Sequence, residues 1–575
     1  MKTAQEFREE LRDRLLRYAG KTLLRIVVAP TFDSPLELTG GDLVRKGEEL
    51  AQRHGPAGSS CQVLLLLPHS PELFLLHLGL ILRGNVPAIL AWPTSRIDPE
   101  KYQRNLLHQL QKLPADHLIT LPRLARNLAS GLPYKAVGCS VETAAHYEKL
   151  FNVPVDLGPA GPVEQIERAK PDPEALFLQF SGGTTGVQKA VVVTASMLEA
   201  QIERLREALS FGEGDHIVSW LPMYHDMGLI ACLWFPLWCG VPSLHIGAND
   251  WVMNPELLLL HTSRWRGTLC WLPNFAFPYL AQSRPRMAAR HDLSSVRGWI
   301  NCSEPVRMRS MRSFCEAFAE WSVKESSLQA SYALAENVFA ATQSRLGRVP
   351  PSVPRSEVRD RAKSYSDLAF DLIDDVFVSS GQPLRDMEIR IAGPTGEICP
   401  ERVCGEILLR TPSLFSGYWG SQGFTRHTLT ADGWHSTGDY GFLREGELYV
   451  IGRIKDIVIV GGQNVFPEDV EAIVNTLPEI HRGRVVAFGV EDQEFGTEAL
   501  AIVAEMKDGL HASAAKPLET EIRKLVLTTI GIAPRYVAAV PQRWIVKSTA
   551  GKISRRDTRE RFLHEKLAPR LAGGG

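Results

Sequence analysis

Short apolar runs alternating with helix-patterned segments set the architecture of the N-terminal half of this chain. Val63–Leu67 is one such run, and Pro71–Arg83 after it repeats apolar residues at helical spacing. Val86–Ala91 is a second buried run. Its Pro87 lacks a ladder donor, so the strand is expected to begin just after it. Strands separated by helices point to an α/β fold, a parallel or mixed sheet covered by helices. Leu176–Phe180 and Ala190–Thr194 are β-prone runs flanking a Gly/Thr-rich loop, while Arg345–Ser366, rich in Pro, Arg and Ser, reads as a loop or insertion. From Met387 to Val450 the pattern turns to short strands with glycine-containing turns, a small β-rich subdomain. After Arg453 it starts afresh, with a strand (Ile457–Val460), a helix (Pro467–Thr476) and a strand (Val485–Val490). A domain boundary is therefore expected at Gly452–Lys455.

Composition excludes several classes. With 575 residues, 44% hydrophobic and 22% charged, the chain can bury a core without staples. Its net charge of −1 offers no global field for nucleic acid or anionic lipid. Nine cysteines are scattered without a C-x-x-C pair or zinc spacing, which fits a reducing, cytoplasmic setting. Met1–Tyr18 carries charges on nearly every turn and reads as an amphipathic surface helix, not a signal peptide. Gly228–Ile246 is uncharged and mostly apolar. Because Pro236, Gly240 and Pro242 interrupt it, a buried strand–turn–strand or helix–strand unit is expected, and no membrane span.

The strongest local signal is Phe180-Ser181-Gly182-Gly183-Thr184-Thr185-Gly186-Val187-Gln188-Lys189. Glycines let a backbone approach an anion and present N–H groups to it, hydroxyls add hydrogen bonds, and a lysine supplies compensating charge. This is the residue set of a polyphosphate cradle, or of a flexible hairpin turn. It is not a Walker loop, since no G-x-x-x-x-G-K-[ST] is present.

Six further motifs follow in order: Ser219–Leu229 (containing Tyr224-His225-Asp226), Asn301–Val306, Ser331–Glu336, Gly433–Asp439, Gly452–Asp456 and Lys547–Ile553. The set resembles the adenylate-forming superfamily of acyl-CoA synthetases, peptide-synthetase adenylation domains and luciferases, over about residues 40–565. Tyr224–Leu229, Pro273–Ala276, Glu304–Val306 and Gly462–Glu471 are most similar to fatty acyl-AMP ligases. Asn464 stands where many CoA synthetases carry an arginine, and the Arg345–Asp375 segment occupies the region of the acyl-AMP ligase insertion. The resemblance implies a large N-terminal adenylation domain of αβ-layered subdomains (1–452) with a β-rich subdomain (about 385–452). A small mobile α+β C-terminal lid would follow (453–575).

It also implies roles, residue by residue. Ser181, Gly182, Gly183, Thr184, Thr185, Gly186 and Lys189 match the phosphate loop that holds ATP. Ser303, Glu304 and Tyr332 match positions beside the adenine, where Tyr332 would stack. Glu336 matches the ligand of Mg2+, Asp439 the group gripping the ribose hydroxyls, and Arg453 a second ribose or phosphate contact. Lys455 sits at the hinge position, and Lys552 matches the catalytic lysine bridging acyl carboxylate and α-phosphate. His225 would line the acyl end of the pocket, or serve as a structural hydrogen-bonder.

The implied reaction is ATP-dependent activation of a carboxylic acid, fatty or related, followed by transfer to the phosphopantetheine thiol of an acyl-carrier protein. Free CoA is the alternative acceptor, and a weakened nucleotide- or acyl-binding relative the rival class. Gly182, Gln188, Ala190, Ala195 and Ala333 depart from the family pattern, and Gly182, Gln188 and Ala190 motivate that rival. Nine Lys/Arg against three acidic residues between Arg543 and Arg570 give a net charge of +6. That bias reads either as a docking face for an acidic carrier protein, with Arg555, Arg556 and Arg559 upon it, or as a solvated helix.

Overall fold

The computed structural model describes residues 2–92 except 59, parts of 102–141, 172–181, 189–358 except 288, and 376–419. It also describes 428–567 except 431, 461–462, 493–496, 511 and 548–552. Two large mixed sheets dominate. The six-stranded sheet runs Lys135–Gly138, His117–Thr120, Gln62–Leu66, Val86–Ile89, Ala175–Phe180, Ala190–Thr194; its neighbours are parallel except for the last, antiparallel pair. The nine-stranded sheet is parallel from Thr22–Ile26 through Ser243–His245, Ile217–Ser219, Leu269–Leu272 and Gly298–Asn301 to Leu328–Ala333. Antiparallel strands close both its edges.

The central strands are buried on both faces because helices cover both. Pro71–Leu82 starts at Ser70, whose hydroxyl caps it, with Pro71 in the first turn. Leu73 to Leu82 are all buried, so this helix is interior, not amphipathic. It lies backbone to backbone against helix Gly40–His54: a Cβ on Gly79 would sit 2.0 Å from the Gly47 carbonyl oxygen. The N-terminal helix Ala4–Arg17 is amphipathic as expected. Thr3 and Glu6 form a capping box, and Phe7, Leu11 and Leu15 are buried, with Phe7 stacked on Trp238 at 4.5 Å.

One sequence reading changes and another is narrowed to one of its alternatives. The Val86–Ile89 strand includes Pro87 instead of starting after it. Val86 and Leu90 donate to Cys61 and Leu65, so Pro87 turns its donor-less nitrogen away from that neighbour. Pairing with Ala175–Phe180 registers only at Ala88. Gly228–Ile246 is the helix–strand alternative: a wide helix Met227–Trp234 runs on into the α-helical turn Phe235–Trp238, and strand Ser243–His245 follows. Among the described residues no helix is long and apolar enough to cross a membrane.

The chain then forms a four-stranded antiparallel sheet, Glu388–Ala392, Gly405–Arg410, His435–Arg444 and Glu447–Arg453. Beyond it, strands Ile480–Asp492, Thr497–Met506 and Tyr536–Val540 carry a core on each face. Alternation assigns them: Val485 and Ala487 face helices Pro467–Val474 and Ala515–Ile530, while Val486 and Phe488 face Phe562 of helix Arg555–Phe562.

Candidate active site

The Ala175–Phe180 strand is buried throughout and pairs with Ala190–Thr194. Just past its end, Ser181 donates its N–H to the Lys189 carbonyl at 2.9 Å, closing the base of the glycine-rich loop. Gly182, Gly183, Thr184, Thr185 and Gly186 lie outside the described residues. Ala190, where the family pattern has glycine, is buried in the core that contains Trp419. Gln179 reaches across from the same strand, and its amide donates to the carbonyls of Ala335 (2.8 Å) and Val338 (2.9 Å). Those bonds hold the short turn Ala335–Asn337 that carries Glu336.

That turn is strained and heavily tied. Val338 has φ +62°, rare for a β-branched residue. The Asn337 amide donates to the Ala340 carbonyl at 2.9 Å, and its oxygen accepts from Ser413 (3.1 Å) and Thr411. Phe415 donates its N–H to the Glu336 carbonyl at 2.8 Å, and the Tyr418 hydroxyl donates to Glu336 Oε1 at 2.7 Å. The Lys189 ammonium lies 4.8 Å from the Tyr418 ring centroid. Burial lowers the Lys189 pKa and Glu336 opposes the shift.

Tyr332, Asp439 and Arg453 form the second group. Tyr332, 7% exposed, lies next to the end of the Leu328–Ala333 strand and donates its hydroxyl to Asp439 Oδ2 at 2.6 Å. Asp439 and Arg453 face each other across adjacent antiparallel strands, with Arg453 Nε 2.9 Å from Oδ1. The Asp439 N–H donates to the Thr437 hydroxyl at 3.0 Å. Burial raises the Asp439 carboxyl pKa, Arg453 pulls it down, and burial keeps the Tyr332 phenol protonated far above its ordinary range. Two acceptor oxygens are thus held rigidly, the arrangement a vicinal diol requires.

Ser303 sits at φ +70°, its hydroxyl 3.8 Å from Met227 Sδ. Glu304 accepts from the Phe275 N–H at 3.0 Å, so its carboxylate supports the Pro273–Phe275 turn. His225 is half-buried, its ring 4.9 Å from that of Tyr224, just before the helix capped by Asp226. Gly228 in that motif is required by packing: a Cβ there would meet the Pro222 carbonyl oxygen at 2.3 Å. Lys455 is exposed in the turn Ile454–Asp456 that follows Arg453. Lys552 lies outside the described residues, but Lys547 and Ile553 on either side are bridged.

The basic C-terminal helix needs a correction. Arg555 points inward. Its guanidinium contacts Asp456 (3.2 Å), Glu468 (3.2 Å), Glu471 (2.9 Å) and the Ala487 carbonyl (2.9 Å). It cannot be part of an exposed docking face, whereas Arg556 is exposed and pairs with Glu560. One cation among three carboxylates leaves the Glu471 carboxyl under-compensated, and burial pushes it up to about 7 from 4.5. The folded chain then holds a proton that the unfolded chain has released, so this group's stabilising contribution falls as pH rises from about 4.5 to 7. Thermal melts across that window are expected to show a downward slope that Glu471→Gln flattens. An unchanged slope would refute the assignment.

Sequence reasoning did not single out Gln179, Tyr418 or the buried pairing of Asp469 with Arg307 and Arg355. For Tyr418 a signal existed in the aromatic turn Phe415-Ser416-Gly417-Tyr418-Trp419 that follows a strand.

Residues 47–419 match the AMP-binding enzyme family. The chain is 31% identical over 442 residues to the long-chain-fatty-acid–AMP ligase FadD32 of Mycobacterium marinum, covering 68% of this chain and 69% of that protein. It is 27% identical over 521 residues to the medium-chain-fatty-acid–[acyl-carrier-protein] ligase JamA of Moorena producens, covering 88% and 86%. A putative acyl-CoA synthetase of Caulobacter vibrioides is 29% identical over 494 residues, covering 84% and 82%. Among solved structures, a fatty acyl-adenylate ligase from a study of the E. coli and L. pneumophila enzymes superposes with TM-score 0.77 at 23% identity, covering 97% and 98%. The McyG A-PCP complex with phenylalanyl-adenylate gives 0.79 at 20% identity, covering 98% and 84%. These likenesses support a large N-terminal domain and a smaller C-terminal one in the adenylate-forming arrangement.

Proposed function

The chain belongs to the AMP-binding enzyme family of adenylate-forming ligases, and from that premise we propose that it activates a fatty or related acid and hands it to an acyl-carrier protein. Acid activation through an acyl-adenylate is the family's chemistry. The observation that carries the assignment to this site is the convergence of Tyr332, Asp439 and Arg453 with the turn bearing Glu336, which Gln179 ties to the strand ending before Ser181. The adenine would lie against Tyr332 and Ser303, and the ribose hydroxyls would bind Asp439. The phosphates would extend toward Lys189 and the Ser181–Lys189 loop.

One carboxylate, Glu336, fits Mg2+ held mainly by substrate phosphates. Among the described residues no group of three His, Cys, Asp or Glu side chains could hold a metal alone. Bound there, Mg2+ would neutralise phosphate charge as the α-phosphorus is attacked. The acid's carboxylate oxygen attacks that phosphorus, the bond to the β-phosphate bridging oxygen breaks, and pyrophosphate leaves. Lys552 would bridge the incoming carboxylate and the α-phosphate. The 453–575 domain would then turn about Lys455 and admit a phosphopantetheine thiol. Its sulfur attacks the acyl carbon, AMP departs, and the thiol proton passes to solvent.

Support for a fatty acid comes from the relatives named for long- and medium-chain acids, and for a carrier acceptor from the one named for it. Nine free cysteines suit a reducing cytosol where such thiols persist. Carboxylate-dependent ATP–pyrophosphate exchange, run over acids from short to long and aromatic, tests the first half. Exchange is expected with aliphatic acids, and exchange with none would overturn the reading. Adding phosphopantetheinylated carrier protein or CoA tests the second: acyl transfer to the carrier is expected, and transfer to CoA alone would replace it.

A further inference from the structure

Lys189 and Glu336 bear opposite charges close enough to influence each other, yet a third side chain stands between them. The Tyr418 hydroxyl donates to Glu336 Oε1 at 2.7 Å, while the face of its ring lies 4.8 Å from the Lys189 ammonium. We infer that Tyr418 is a positioning residue: it fixes the Glu336 carboxylate for a divalent cation and holds Lys189 toward the phosphates, preventing the two from neutralising each other. This inference rests on the adenylation reading.

The ring's placement is over-determined. Tyr418 forms an antiparallel bridge with Val191, and the neighbouring Trp419 N–H donates to the Ala190 carbonyl at 2.8 Å. Its backbone is thus fastened to the strand that Lys189 precedes. On the other side, the Phe415 N–H holds the Glu336 carbonyl at 2.8 Å, and the Phe415 ring packs edge-on against Tyr418 at 4.8 Å. One five-residue turn therefore ties the lysine's strand to the glutamate's turn through both backbone and side chain. A direct lysine–glutamate pair would leave neither charge available to substrate, because each would satisfy the other. A phenol avoids that by offering a neutral donor to the carboxylate and a π face to the cation. Partners behind a metal ligand commonly account for about 10–100-fold in metal affinity.

Tyr418→Phe keeps the ring and removes the donor. In acid-dependent exchange, the Mg2+ concentration for half-maximal rate is expected to rise about 10-fold or more, with KM for the acid unchanged and the maximal rate largely restored at high Mg2+. Mn2+ binding in the presence of a non-hydrolysable ATP analogue, followed by electron paramagnetic resonance, should weaken by a similar factor. In a Glu336→Gln background Tyr418→Phe should add nothing to either readout, which separates positioning from a general loss of stability. Thermal denaturation verifies the fold of each variant. Unchanged Mn2+ affinity in Tyr418→Phe, or an equal loss in the Glu336→Gln background, would overturn the inference. If the unaltered protein shows no exchange with any acid, the adenylation reading fails separately, while the Mn2+ comparison still decides the role of Tyr418.

Discussion

Lys552→Ala is expected to lower acid-dependent ATP–pyrophosphate exchange by about 10²–10³ while leaving nucleotide binding nearly unchanged. Its neighbours explain why the loss should fall on chemistry. The segment carrying Lys552 is closed by the Lys547–Ile553 bridge, and Ser554 donates its N–H to the Val546 carbonyl at 2.9 Å. Arg555 then anchors the following helix to Asp456 beside the proposed hinge and to Glu468 and Glu471. The residues flanking Lys552 on both sides are thus braced. The candidate adenine and ribose contacts, Tyr332, Asp439 and Arg453, are unaltered in the variant and should still hold ATP. A positioned cation contributes where negative charge develops, on the α-phosphoryl group as the carboxylate arrives, so the deficit should appear in kcat and not in the KM for ATP. The transfer step, assayed with presynthesised acyl-adenylate, should be spared. Undiminished exchange in the variant would remove Lys552 from the mechanism.

The alternating fold was legible because buried strands and covering helices impose different hydrophobic periods on the sequence. Val63–Leu67 and Pro71–Arg83 are within a residue or so of the observed elements. Pro87 misled for a local reason: the sequence shows that a donor is missing, but not to which neighbour it would have pointed. Motif residues were legible singly, whereas their partners were not. Asp439 and Arg453 come from separate motifs and meet because their strands pair in that register. Tyr418 meets Glu336 only because its turn docks on the strand after Lys189.

Charge was the least legible property. A helix with basic residues on most turns usually faces water, so Arg555 read as surface. The fold instead gathers three carboxylates from the Ile454–Asp456 turn and helix Pro467–Val474 around it. The ion pairs of Asp469 were equally hidden, since neither arginine lies near it in sequence. Local spacing encodes which face of an element is buried, not which distant charge will meet it.

Asp469→Ala is expected to release helix Pro467–Val474 from the N-terminal part of the protein. Asp469 is 1% exposed, and Arg355 grips both its oxygens at 2.9 and 3.0 Å while Arg307 binds one at 3.1 Å. Arg355 follows the strand Ser352–Pro354 and lies over the Phe377 ring at 4.5 Å; Arg307 is held through its N–H by Asn274 at 3.1 Å. Both cations are thus fixed to the large domain, and the anion belongs to the proposed lid. Removing one partner of such a buried group costs about 3–5 kcal/mol, because the carboxylate that both guanidiniums bind is lost from a buried site. That is about 10² to several times 10³ in the ratio of docked to released lid. Amide hydrogen exchange should accelerate through Ile454–Val460, and proteolysis near Lys455 should quicken. The separate cores around Val485 and Phe488 should keep their protection. Because the pair is buried, moderate salt should not reproduce the effect in the unaltered protein, as it would for an exposed ion pair. Unchanged exchange at Ile454–Val460 would mean that contacts other than Asp469 hold the proposed lid in this orientation.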